Sequence, residues 1–273
     1  MRAAQQGAPE LGLAAVVGAS RSRHAFEDCV ERLATAIRLG VYPYGTALPP
    51  ERELAVAMRV SRATLREAIA GLRAAGMVST TRGRGGGTVV ALAPATPGES
   101  GTGALAGRGA ELQDTLVFRR VVEPGACQVA AGRRLDDGER EMLGGALAAV
   151  AAAGTPAEHR QADSRLHLAL ATLTASPALV EAVTGVQAGL HDMLICIPVL
   201  RVNIEHSSAQ HRAIVGAVLD GDGLRARREM ERHCDDTAAL LRGLLDWNRP
   251  GRDGPGRERA EHGTHEDETT GAR

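Results

Sequence analysis

Residues 46–87 read TALPPERELAVAMRVSRATLREAIAGLRAAGMVSTTRGRGGG, and the stretch parses locally into short helices, turns and strands. Pro49-Pro50 fixes an extended entry. Glu51 to Met58 is predicted to form a short helix, with Leu54 and Met58 one turn apart, and Arg59 and Val60 form a turn. Ser61 suits the N-cap of the next helix, because its hydroxyl can accept from the free N–H groups there. That helix is predicted to run to about Ala75 and to stop at Gly76. Leu65, Ile69 and Leu72 form its buried stripe, and Arg62 and Arg66 stand one turn apart beside it. Met77–Thr81 and Thr88–Ala91 read as two short strands joined by a basic, glycine-rich tip, Arg82-Gly83-Arg84-Gly85-Gly86-Gly87. This is the order of a winged helix-turn-helix, with one side of the reading helix anchored and its first turns free to reach base edges. A solvated arginine face would account for Arg62 or Arg66 taken singly. It does not account for the sequence of helix, turn, Ser cap, Gly stop and Arg/Gly tip.

The rest of the chain gives this element a setting. At 273 residues the chain suits two domains of ordinary size. Hydrophobic residues make up 44%, enough for true cores, but aromatics are only 2%, which argues against a single-strand binder built on stacking platforms. There is no lysine, so every basic contact falls to arginine. Residues 21–93 carry eleven Arg against six acidic residues, a balance of +5, and the remainder is at −6. A basic front and an acidic back fit a DNA-binding head on a regulatory body. Cys29, Cys127, Cys196 and Cys234 are scattered with no CxxC pair, so reduced thiols are expected rather than a disulfide framework or a cysteine zinc finger. The short apolar run at Leu11–Ala19 follows Glu10 and precedes the head, and is not read as a signal peptide. No apolar run is long enough to span a membrane.

In chain order, residues 1–20 are expected to be a flexible tail, and Phe26–Leu39 a helix packed on the reading helix through Val30, Leu33 and Ile37. The head is placed at 21–92, and the Pro/Gly/Ala/Thr/Ser-rich stretch 93–109 reads as a linker. The body, 110–248, shows helical spacing only. Its helices are predicted at about Ala110–Arg134, Asp137–Ala153, Pro156–Thr174, Pro177–Cys196, Ser207–Leu219 and Gly223–Asn248, with Asp220-Gly221-Asp222 making the last turn. Residues 249–273 have almost no apolar content and are expected to be disordered. The fold class is therefore mainly α: an N-terminal winged helix-turn-helix of three helices and a small β wing, then an all-α helical bundle.

The body's chemistry concentrates in Asp163, His167, His211 and His233. Asp163 and His167 share a helix face, with Leu166, Leu170 and Leu173 on or beside it. His211 lies on the apolar side of its helix with Ile214 and Val215, and His233 on that of the last helix with Met230, Leu240 and Leu241. Inward carboxylates and imidazoles need partners. One divalent cation would satisfy all four, and three nitrogens with one oxygen suit Zn²⁺, Ni²⁺ or Mn²⁺. A lone inward His is more often a hydrogen-bonded core residue, so the weight lies in the set of four. His24, His159, His191 and His206 lack this patterning, and His262 and His265 fall in the tail.

The pieces LPPERELA, VSRATLREAIAGLRAAGMV and RGRGGGTVV resemble the DNA-binding domain of GntR-type transcription regulators over roughly residues 24–93. The resemblance implies DNA contacts from Arg52, Ser61, Arg62, Thr64 and Arg66, with Arg82 and Gly83 in the wing. FRRVVEPGACQVAA, ADSRLHLALATLTASPALVEAV, AQHRAIVGAVLDGD and MERHCDD resemble the all-helical FCD domain of the FadR subfamily over about 112–246. That likeness implies a divalent metal on Asp163, His167, His211 and His233. It also implies an effector-binding arginine at Arg119, ahead of Glu123 and Pro124, with Arg120 as the adjacent alternative. Gln210 stands before His211 where the family commonly has Glu.

Together these imply a cytoplasmic, nucleoid-associated repressor. It would act as a homodimer on a pseudo-palindromic operator in double-stranded DNA, and a small organic acid bound at the metal would control it. A metal sensor with no organic effector and a metal-dependent hydrolase are the alternatives. Against the hydrolase, no further inward acid or base is evident beside the four candidate ligands.

Overall fold

The computed structural model describes residues 25–81, 87–94, 108–194 and 201–247. Predictions for the N-terminal tail, the wing tip with Arg82 and Gly83, most of the linker, Cys196 and the C-terminal tail fall outside these residues.

The head begins with α1 (Ala25–Arg38), followed by α2 (Glu51–Met58), α3 (Arg62–Ala74) and an antiparallel pair, β1 (Val78–Thr80) and β2 (Thr88–Val90). Ser61 caps α3 as expected, accepting from the Thr64 N–H at 3.0 Å. The turn before it is tight because Arg59 takes a left-handed conformation (φ 57°). Gly76 adopts φ 74° just past α3, where a β-carbon would be strained. Cys29, Leu33 and Ile37 of α1 pack with Leu54, Met58, Leu65, Ile69, Leu72, Val78 and Val90 into one core. Val30 lies at its edge, and Cys29 is fully buried in the place expected for a larger side chain. Ala47 bridges Val89, so the strand pair gains a third short partner that the sequence did not disclose.

The body is a bundle of α4 (Gly109–Ala131), α5 (Asp137–Ala152), α6 (Pro156–Thr172), α7 (Pro177–Leu194), α8 (Arg201–Leu219) and α9 (Gly223–Trp247). Reciprocal capping boxes start α5 (Asp136 with Glu139) and α6 (Thr155 with Glu158), and Pro156 pre-sets the first turn of α6. Each such cap is worth about 1 kcal/mol. Leu166, Leu170 and Leu173 of α6 join Leu143, Ile214, Val218 and Met230 in the largest core. A second apolar cluster joins Leu112 and Leu116 of α4 to Leu190 and Met193 of α7 and Leu241 of α9.

Helix α8 starts at Arg201, not at Ser207. The added first turns include Ile204, which lines the cavity described below. The first body helix ends earlier than its pattern suggests, at Ala131 before Gly132.

Candidate functional site

Three helices deliver side chains to one place. α6 brings His167, α8 His211 and α9 His233, and all three are buried (2%, 0% and 3% exposed). Their ring centroids lie 4.7 to 5.6 Å apart. One nitrogen from each can be chosen so that all three lie within 4.8 Å of one another. Asp163, one turn before His167, places Oδ1 3.3 Å from His211 Nε2 and Oδ2 4.0 Å from His167 Nε2. The four residues read from the sequence as inward-facing therefore meet.

The surrounding hydrogen bonds fix which nitrogens are free. Asp236 Oδ2 accepts from Gln210 Nε2 at 2.7 Å, which turns Gln210 Oε1 toward His233 Nδ1, 3.0 Å away. A carbonyl oxygen there requires the proton on Nδ1, leaving the Nε2 lone pair open. On the other side, His167 Nδ1 lies 3.0 Å from Glu123 Oε2, at ion-pair distance but off the hydrogen-bond axis. His167 Nε2, His211 Nδ1 and His233 Nε2 are buried with no hydrogen-bond partner. Unpartnered buried imidazole nitrogens cost stability, and a cation among them removes the cost. The donor set fits a divalent transition ion: three imidazoles with a carboxylate beside them.

Electrostatics agree. Burial pulls His211 down to about 4, against the upward pull of Asp163, and burial lowers His233 well below the usual imidazole range. Both rings are therefore neutral at pH 7, the form a metal needs. Burial alone would raise Asp163, but His211, His167 and Arg119 outweigh it and keep the carboxylate ionised. A pH dependence follows. As pH falls from about 6.5 to 4, unfolded His211 takes a proton that the folded state refuses. Metal-free protein is expected to lose on the order of 2–3 kcal/mol over that window, read as a falling chemical-denaturation midpoint. Saturating Zn²⁺ should hold the midpoint up until ligand protonation competes. A flat midpoint across the window in metal-free protein would contradict a buried, neutral His211.

Glu123 of α4 is a buried residue of this cluster that the sequence did not single out as an inward acid. It is 2% exposed and takes Arg119 Nε at 2.8 Å, Gln187 Nε2 at 2.6 Å and the Cys234 thiol at 3.8 Å. Burial works against its charge, but Arg119 and His167 hold its carboxyl well below the usual range. Arg119 and Glu123 are one turn apart, so the R-x-x-x-E spacing was the available signal. Arg119 is the arginine that faces inward, at 3% exposure. Arg120 points outward to Asp235 and Glu231.

Beside the histidines lies a cavity of about 450 Å³. Arg119, Asp163, Gln210 and His233 line it near the histidine cluster, and Leu190, Ile204 and Leu240 are among its apolar walls. His159, His191 and His206 line it too, although their sequence surroundings gave them no role. Their neighbours in sequence are polar or mixed; helix packing buries His191 and half-buries His159 at the cavity, while His206 lines it from an exposed position.

In the head, Arg52, Ser61, Arg62 and Arg66 are exposed and Thr64 is half-buried. Arg66 Nε sits 3.3 Å from Glu51 Oε2, an exposed pair worth about 0–1 kcal/mol and easily exchanged for DNA. The Ser61 hydroxyl is engaged by Thr64, whose own hydroxyl is 2.8 Å away. Among the described residues, no helix is long and apolar enough to cross a membrane.

Head and body also touch directly, a contact with no sequence signal. Gln161 Nε2 donates to the Arg38 carbonyl (3.2 Å), Arg165 donates to the Gly40 carbonyl (3.1 Å), and Arg38 pairs with Asp192 (3.4 Å).

Two family models match the chain: bacterial regulatory proteins of the gntR family over residues 26–90, and the FCD domain over residues 114–236. RmpR of Mycobacterium gastri, described as an HTH-type transcriptional regulator, is 32% identical over 202 residues, 73% of this chain and 73% of its own. Rv0494 of Mycobacterium tuberculosis, also described as an HTH-type transcriptional regulator, is 30% identical over 222 residues, covering 77% and 88%. An Escherichia coli protein described as an L-lactate dehydrogenase operon regulatory protein is 29% identical over 224 residues, covering 77% and 84%. Similar solved structures include Streptococcus agalactiae GntR (TM-score 0.43, 23% identity, 80% of this chain and 99% of that one). Another is E. coli McbR/YncC (TM-score 0.49, 14% identity, 81% and 98%). The chain belongs to the GntR family of transcription regulators, with the gntR head and FCD body of the FadR-like type. These relatives are regulators rather than enzymes, and the hydrolase alternative falls away.

Proposed function

We propose that the chain represses transcription as a homodimer on a pseudo-palindromic operator, and that a small organic acid bound beside a divalent cation in the FCD body releases it. The observation that carries this reading is the set of unpartnered imidazole nitrogens in His167, His211 and His233, set beside Asp163 and a cavity that Arg119 also lines. A cation held by Asp163, His167, His211 and His233 would supply positive charge and open coordination positions to a carboxylate. The chain's own residues do the rest. Arg119 commits Nε to Glu123, leaving its Nη groups as the donors for the acid. Glu123 and Gln210 hold His167 and His233 in orientation. The apolar walls exclude water, which strengthens each polar contact.

In the head, arginine–phosphate contacts would carry most of the affinity and make it salt-dependent. Arg62 and Arg66 would read bases. Arg66→Ala is expected to reduce operator affinity about tenfold while leaving random-sequence affinity nearly unchanged, in gel-shift titrations at one fixed salt concentration. An equal loss on both DNAs would make Arg66 a phosphate contact.

Thermal unfolding against a panel of hydroxy acids, sugar acids and dicarboxylates, with and without chelator, tests the reading. An acid at 100 times its dissociation constant should add about 2.7 kcal/mol, and chelator should abolish the gain. Stabilisation by metal with every acid silent would replace the acid effector with the cation itself.

A further inference from the structure

We infer that the effector is an elongated diacid, with one carboxylate at the histidine cluster and the second at a separate subsite formed by His191 and Arg160; the inference rests on the acid-binding reading above. Three observations carry it. First, the cavity is large for a three-carbon acid. At about 30 Å³ per water-sized group, 450 Å³ takes on the order of fifteen such groups.

Second, the cavity runs along the helices rather than stopping at the histidines. On α6 it reaches from Asp163 back to Arg160 and His159, and on α7 from Gln187 to His191 and Leu194. At 1.5 Å per residue, Arg160 lies roughly 10 Å along α6 from His167, and His191 roughly 6 Å along α7 from Gln187. Gln187 itself is bonded to Glu123 at the deep end. Leu190, Leu194, Ile204 and Leu240 supply apolar wall, with the polar Ser164, Ser207 and Thr237 among them. A chain of methylenes fits such a wall.

Third, the far end carries a polar group waiting for a partner. His191 is only 9% exposed, lines the cavity, and has a buried Nδ1 with no hydrogen-bond partner. Arg160 lines the same cavity, and Asp192, Arg38 and Arg160 all act on His191 electrostatically, two guanidiniums against one carboxylate. An imidazole N–H beside a guanidinium is a carboxylate-binding pair. A monoacid of equal length would bring a methyl group there and leave the imidazole unsatisfied.

The test is calorimetric titration of the full chain, loaded with Zn²⁺, with malonate, succinate, adipate, pimelate and suberate, and with heptanoate as the monoacid matched to pimelate. Affinity should rise along the diacid series to pimelate or suberate, and pimelate should beat heptanoate roughly tenfold. His191→Leu should erase that preference while leaving heptanoate binding unchanged or tighter. His191→Gln, which keeps an N–H donor, should retain most of it and guards against a folding defect in the leucine variant. Malonate binding as tightly as pimelate would overturn the inference. So would equal affinity for pimelate and heptanoate, or a His191→Leu loss shared by both. In those cases the metal-dependent acid site would still stand. If no acid binds to protein whose Zn²⁺ loading has been measured separately, the acid reading itself fails and the subsite with it.

Discussion

Glu123→Leu is expected to lower the unfolding free energy by about 3–5 kcal/mol, the cost of leaving a buried charge without its partner. Arg119 is 3% exposed and stays charged, because Glu123 outweighs the burial that disfavours its cation. Removing the carboxylate strands that guanidinium, frees Gln187 Nε2, and removes the oxygen that stands 3.0 Å from His167 Nδ1. Two further readouts separate this account from simple loss of packing. The double variant Arg119→Met/Glu123→Leu should recover much of the stability, since a well-packed apolar pair replaces a buried ion pair at little net cost. Metal affinity should fall about 10–100-fold in Glu123→Leu, because His167 loses the group that orients it. Equal destabilisation in the single and double variants would mean that the ion pair is not the source of the loss. An unchanged metal affinity would detach Glu123 from the site.

Why Glu123 escaped the sequence while His211 did not is a matter of periodicity. Asp163, His167, His211 and His233 stand at helical spacing from apolar residues of their own helices, so local spacing turns them inward. The head was legible for the same reason: Ser61, Gly76 and the Leu65/Ile69/Leu72 stripe are local signals, and the helix lies where they place it. Glu123 stands in RRVVEPG, beside two arginines of opposite fate, and local spacing alone does not say which one is buried. His159, His191 and His206 are harder still. Their surroundings are polar or mixed, and their place at the cavity is a product of how α6, α7, α8 and α9 pack together. The start of α8 at Arg201 rather than Ser207 carried no cap or periodic signal in the sequence. The contact of head with body depends on groups from three helices and two backbone carbonyls, which no single stretch announces.

That contact supplies the last expected result: Gly40→Ala should uncouple DNA release from effector binding while sparing both binding sites. Gly40 follows α1 at φ 71°, in a turn closed by the Val41 N–H to Ala36 carbonyl bond at 2.9 Å. A β-carbon there would stand 2.9 Å from Gln161 Cβ and 3.0 Å from Arg165 Nη1. The left-handed backbone alone costs an alanine about 1–2 kcal/mol, and the approach to α6 must also open. Gln161 and Arg165 grip the end of α1 from one side of α6. Arg160, Asp163 and Ser164, interleaved with them in sequence, line the cavity from the other. A shift of α6 on ligand binding is therefore a shift of the head's anchorage, in addition to anything carried by the covalent connection. Allosteric coupling of this kind is typically 5–150-fold. In Gly40→Ala the effector-induced change in operator affinity should shrink toward none, with ligand affinity in the body and DNA selectivity in the head retained. The pair Gln161→Leu/Arg165→Met removes the same grip without backbone strain, and should reproduce the effect if alanine at position 40 weakens the fold. Full coupling in both variants would route the signal through the connection between the domains alone.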